Sequence, residues 1–157
     1  MKTDQFDDIA DEFKRRIDHI VWCSATTVDT RGRPRSRILH PIWEGSVGWI
    51  ATGRQSLKQK HLEKTPFVSL SYWTPEHEQV HAECAASWED RVEEKKRLWT
   101  LFKEMPPPMG YDPGLFFQGG PEDPACGFLR LDPWRIELWS LSDLAGGKPN
   151  QVWCRPG

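Results

Sequence analysis

The chain has no surplus of positive charge: 21 Lys and Arg stand against 23 Asp and Glu, a formal net charge of −2. This balance argues against a dedicated binder of DNA or RNA, which needs cations in excess to neutralise the phosphate backbone, and leaves any anion site to a local cluster of Arg and Lys. Long apolar runs are lacking too, and nothing approaches the roughly 20 residues that span a bilayer. Only four cysteines occur, Cys23, Cys84, Cys126 and Cys154, spaced as neither a C-x-x-C pair nor a zinc pattern. They read as free thiols, with no metal site expected. Residues Met1 to Asp4 carry no apolar signal-peptide segment, so a reducing cytoplasm is the expected compartment.

Tryptophan, by contrast, is abundant, with nine among 157 residues, and such rings either fill a core or line a pocket for a flat ligand. With 38 % hydrophobic residues the chain can bury one core, so one compact domain is expected. Phe6, Ile9, Ala10, Phe13, Ile17 and Ile20 recur at helical spacing and mark an amphipathic helix over residues 1–20, packed across one end of a β-barrel. Strands are expected over Val21 to Val28, Pro34 to Trp43 and Val47 to Thr52, joined by tight turns. A short helix runs from Leu57 to Lys64, capped by Ser56 and stopped before Pro66. Phe67 to Trp73 and Gln79 to Ser87 read as strands. A helix then opens at Ser87, with Asp90 completing a capping box, and buries Trp88, Val92, Trp99 and Phe102.

Met105 to Pro124 holds six of the thirteen prolines and reads as a long loop, either a lid or a wrap over the barrel. Gly127 to Leu131 and Arg135 to Ser140 are the last strands. The domain therefore spans residues 21–140, and residues 141–157 form a loosely held tail. The fold class is mainly β with flanking α-helices, an antiparallel barrel of six or seven strands.

The segment Arg33 to Leu62 is the most informative chemically. Arg33, Arg35 and Arg37 alternate, so on a strand they share one face, with Arg37 nearest the apolar core. An arginine fork held there suits a phosphate. Across the hairpin, Thr52, Arg54, Ser56 and Lys58 surround a helix start, whose free N–H groups also favour an anion. The competing reading is a solvated basic face with Ser56 acting only as a cap. His40, His61, His77 and His81 lack the context of a triad or metal site and read as surface or packing residues.

These residues resemble the pyridoxamine 5′-phosphate oxidase-like superfamily of flavin and deazaflavin split barrels. The resemblance lies in Arg-Ser-Arg-Ile-Leu (35–39), Ile-Ala-Thr (50–52) followed by Ser-Leu-Lys (56–58), Pro-Phe-Val-Ser-Leu (66–70) and Leu-Arg-Leu-Asp-Pro-Trp-Arg-Ile-Glu-Leu-Trp (129–139). It implies a split β-barrel and a homodimer with cofactors between subunits. It further implies a phosphate held by Arg37, Thr52, Ser56 and Lys58, and an aromatic ring, Trp139, against the flavin. Tyr72, Trp73 and the 105–124 loop are expected to shape a substrate pocket.

Two departures matter. Leu57 stands where the vitamin oxidases carry a basic residue, and their Arg- and His-rich C-terminal motif is absent, so oxidation of pyridoxamine phosphate itself is not expected. Pro106 to Pro113 after a long helix resembles the stress-protein or deazaflavin-reductase branch. FMN and F420 both suit the clamp; Leu57, together with Arg54 and Lys60 as contacts for a longer anionic tail, tilts the expectation toward F420. The expected activity is hydride transfer between bound F420 or FMN and an organic small molecule. The alternatives are a non-catalytic flavin or haem-type binder, carrier or stress-response protein, and a ligand-free structural barrel.

Overall fold

The computed structural model describes all 157 residues. In chain order the elements are β1 (Lys2–Thr3), α1 (Asp7–Ile20), β2 (Cys23–Val28), β3 (Pro34–Leu39), β4 (Ile42–Glu44), β5 (Val47–Gly53), α2 (Leu57–Lys64), β6 (Phe67–Trp73), β7 (Glu78–Glu89), α3 (Val92–Glu104), β8 (Cys126–Ser140), α4 (Leu141–Ala145) and β9 (Gln151–Cys154). The nine strands join in the order β1-β9-β8-β7-β6-β2-β3, with β5 on β8 and β4 on β5. Every pair is antiparallel except β1 with β9. β8 is the spine: β7 runs along one edge, while β5 and then β9 share the other. β3 and β5 bond to different neighbours and not to each other, so the barrel is left open between them.

The expected helical stripe of α1 is buried as Ile9, Phe13 and Ile17 against Val68, Leu70, Val80 and Ile136 in the main core. Arg16 is buried beside it, which is tolerable only because Glu12, the carbonyls of Gln79 and Trp139, and Asp143 satisfy its guanidinium. A second core lies under α3, where Leu98 and Phe102 meet Ile42, Trp49, Cys126 and Phe128. No helix is long and apolar enough to cross a membrane. All four cysteines are free; burial pushes Cys23 up to about 12 and Cys126 to about 11.

The structure departs from the sequence-based expectation at several points, the first being that the helix expected over residues 1–20 begins only at Asp7, Lys2–Thr3 pairing with β9 as a strand. The strand expected over Pro34 to Trp43 breaks at His40 and Pro41, since proline supplies no N–H to continue the ladder. The two final strands are one, because Trp134 bulges out where the β7–β8 register shifts between Glu83 and Cys84, leaving Pro133 where the ladder tolerates it. Ser87 caps no helix: pairing of Ser87, Trp88 and Glu89 with Arg130, Leu129 and Phe128 extends β7, and α3 begins at Val92, itself exposed. The tail is not loose. Ser140 caps α4 through the Asp143 N–H, and β9 lies between β8 and β1, tying the two ends of the chain together.

Candidate functional site

Strand β3 presents Arg37 half-buried beside β2. Its Nη1 donates to Thr27 Oγ1 at 2.9 Å, and Thr27 Oγ1 lies 2.9 Å from His61 Nδ1 on α2. The hydroxyl oxygen accepts from arginine and keeps both a second lone pair and its own proton for the ring nitrogen, so either tautomer of His61 fits the contact. Burial, followed by the charge of Arg37, lowers the His61 pKa and so favours the uncharged ring. Thr27 and His61 thus hold Arg37 in place by tying β2, β3 and α2 together. His61, read from sequence as a packing residue, is a positioning residue, and its i+3 spacing from Lys58 was the available signal.

Lys58 stands on the first turn of α2, half-buried. Its pKa is lowered by burial and then by the charge of Arg37, which places two cations in mutual repulsion. Arg37 is lowered likewise, by burial and then by Arg35. None of the ion pairs in the protein involves Arg37 or Lys58. Ser56 precedes this helix in an extended conformation without capping it, and its Oγ is buried with no hydrogen-bond partner. Half-buried cations without carboxylates beside an unsatisfied hydroxyl are costly unless an anion joins them. The donor set matches a phosphate ester: a fork, an ammonium, a hydroxyl and the free N–H groups of a helix start.

A cavity of about 540 Å³ opens between β3, β5 and the long loop; of the four residues expected to hold the phosphate only Thr52 lines it, Arg37, Ser56 and Lys58 lying outside its wall. One wall is β3 and β5, through Ile38 to His40 and Ile50 to Gly53, with Trp22 at its edge; the other is the long loop, through Pro108, Tyr111 and Leu115 to Phe117. Thr52 lines this space. His40 is wedged between Trp22 and Tyr111, with ring centroids 4.4 and 5.2 Å away, and its Nε2 is buried without a partner. Sequence periodicity missed His40 and Trp22 because both lie at strand ends. The loop is a wall of the cavity, anchored where the Tyr111 hydroxyl donates to the Ala51 carbonyl at 3.3 Å.

The remaining expected residues do not all gather here. Arg54 is committed elsewhere: its Nε and Nη2 bind Asp90 at 3.1 and 3.2 Å, and its guanidinium lies 4.7 Å over the Trp88 ring. Lys60 is exposed on α2 with no side-chain partner. Tyr72 does not line a pocket. It is 1 % exposed in the main core, where its hydroxyl accepts from Trp43 Nε1 at 3.0 Å and burial holds its phenol well above the ordinary value. Tyr72→Phe should therefore cost about 1 to 3 kcal/mol in a urea unfolding titration, by orphaning the Trp43 N–H. Trp73 is exposed, its indole donating to His77 Nδ1 at 3.2 Å, and is absent from the cavity wall. Trp139 pairs with Gln79 at the far end of β8 from the Gly127–Thr52 pair, roughly 40 Å away along the strand.

Comparison with known proteins agrees with this architecture. A comparison with curated proteins found no match. Among solved structures, a protein from Clostridium acetobutylicum related to general stress protein 26 of Bacillus subtilis superposes with a TM-score of 0.73 at 12 % identity, covering 94 % of each chain. An FMN-binding, pyridoxamine 5′-phosphate oxidase-related protein from Nostoc punctiforme gives 0.66 at 14 % identity, covering 95 % of this chain and 97 % of that one. The heme storage protein HutZ of Vibrio cholerae gives 0.58 at 16 % identity, with 80 % and 89 % covered. At such identities the likeness establishes the fold alone. The family pattern described as pyridoxamine 5′-phosphate oxidase matches residues 9–140, most of the chain, and the protein belongs to that family of split β-barrels.

Proposed function

We propose that the protein binds FMN and works as a flavin-dependent oxidoreductase, exchanging hydride with an organic small molecule. The observation that carries this reading is the pair of uncompensated, half-buried cations, Arg37 and Lys58, beside the unpartnered Ser56 Oγ. These groups bind the phosphate, Thr52 faces the chain that leads from it, and the apolar cavity takes the ring and excludes water. A flavin held there supplies the redox chemistry; the protein's part is position and electrostatics. FMN is favoured over F420 because Arg54, one of the two cations available for a longer anionic tail, is engaged by Asp90 and Trp88.

The reading includes a homodimer. Trp73, Gln79 and Trp139 form one cross-strand row on the outer face of the sheet, and Ile38, Ser24, Ser71 and His81 form another. Ile38, Phe67 and Trp73 are each more than half exposed on that face. Packing two such faces together covers this apolar surface.

The test is an absorbance titration of apoprotein with FMN and F420 side by side, with sedimentation of the same sample. Saturable binding of FMN, tighter than F420, by a dimer is expected. Tighter binding of F420, or no flavin binding by a folded protein, overturns the reading.

A further inference from the structure

The cavity differs in kind from the cationic group of Arg37 and Lys58, neither of which lines it. None of its thirteen lining residues is a lysine, arginine, aspartate or glutamate. Its polar side-chain groups are the Thr52 hydroxyl, the His40 ring, the Trp22 indole N–H and the Tyr111 hydroxyl, the last already directed at the Ala51 carbonyl. Burial lowers the His40 pKa and pushes Tyr111 up to about 12, so both are neutral at physiological pH. The rest is aliphatic or aromatic. On the loop side Tyr111 is held edge-on by Phe102 at 5.6 Å and meets Phe116 at 5.8 Å, while Phe116 is 69 % exposed at the rim. An ionised ligand group entering here would lose its water and find no opposite charge, whereas a flat neutral ring would find edges and faces of its own kind.

We propose that the part of the cavity walled by the 108–117 segment is a binding site for an uncharged, planar aromatic substrate, and that Tyr111 and Phe116 select it against anions of the same shape. The proposal rests on the flavin reading, since it names what approaches the ring, and it separates this chain from relatives whose substrate carries a phosphate.

A matched pair of probes tests it: naphthalene-2-carboxamide and naphthalene-2-carboxylate, alike in shape and different in charge. Their affinities are measured by calorimetry at pH 7.5, on protein with FMN and on protein without it. The amide is expected to bind about tenfold or more tighter than the carboxylate. Phe116→Lys, a change at an exposed rim position, is expected to shift the preference toward the carboxylate. Equal affinities, binding of neither probe, or a preference unmoved by Phe116→Lys overturns the proposal. The two readings fail separately. If FMN does not bind while the amide is still preferred, the flavin reading falls alone; if FMN binds and the amide is not preferred, this inference falls alone.

Discussion

Arg37→Ala should weaken FMN binding by about 1.5 to 3 kcal/mol, roughly 10- to 150-fold, when followed by quenching of flavin fluorescence at fixed ionic strength. The expectation rests on the Arg37 surroundings. Its guanidinium is half-buried, carries no carboxylate partner, and spends one N–H on Thr27, leaving the rest of its fork to meet an anion. Removing it also relieves the repulsion felt by Lys58, so the folded protein should lose little stability and the effect should appear in binding. Arg37→Lys keeps the charge but not the planar fork, and should recover only part of the affinity. Unchanged binding in Arg37→Ala would mean that the phosphate is held elsewhere.

Gly110→Ala has the largest expected effect on the cavity wall. A Cβ at Gly110 would sit 1.9 Å from the Met105 carbonyl oxygen and 2.7 Å from its carbon, and neither is a flexible side-chain tip. The segment cannot step aside locally. Gly110 N–H donates to Pro106, and the Tyr111 N–H donates to the Phe102 carbonyl at 2.9 Å, which fastens the loop to the end of α3. Relief of the clash therefore requires the loop to leave α3, carrying Tyr111 away from Ala51 and Phe102. Overpacking of this kind costs about 1 to 3 kcal/mol or more, a fall of roughly 3 to 10 °C in Tm for a chain of this size. An unchanged Tm, with amide-probe affinity intact, would show that the loop is not fixed as described.

The proposed cradle could be read from the sequence because its members are close in the chain. Arg37 on β3, Thr52 on β5, and Ser56 and Lys58 at the start of α2 lie within the 22 residues from 37 to 58, where alternation and a helix start suffice to single them out. What was not legible depends on partners distant in the chain. Arg54 looked free until Asp90 and Trp88 came beside it, and Tyr72 looked like a pocket residue until Trp43 claimed its hydroxyl. The long β8 hid behind Pro133, which local rules treat as a strand end and which only the bulge at Trp134 accommodates. The tail owes its order to β1, at the other end of the sequence. His40 shows the same limit on a smaller scale, since its place in the cavity comes from Trp22 on one side and Tyr111 on the other.

If Arg37, Ser56 and Lys58 bind a phosphate, FMN and riboflavin must differ in affinity. The two share ring and ribityl chain and differ in the phosphate alone, so their affinity ratio on the wild-type protein isolates the contribution of Arg37, Ser56 and Lys58. FMN should bind at least about a hundredfold more tightly, with the difference shrinking as salt is added. Equal affinity for the two ligands, at low salt as at high, would contradict the account.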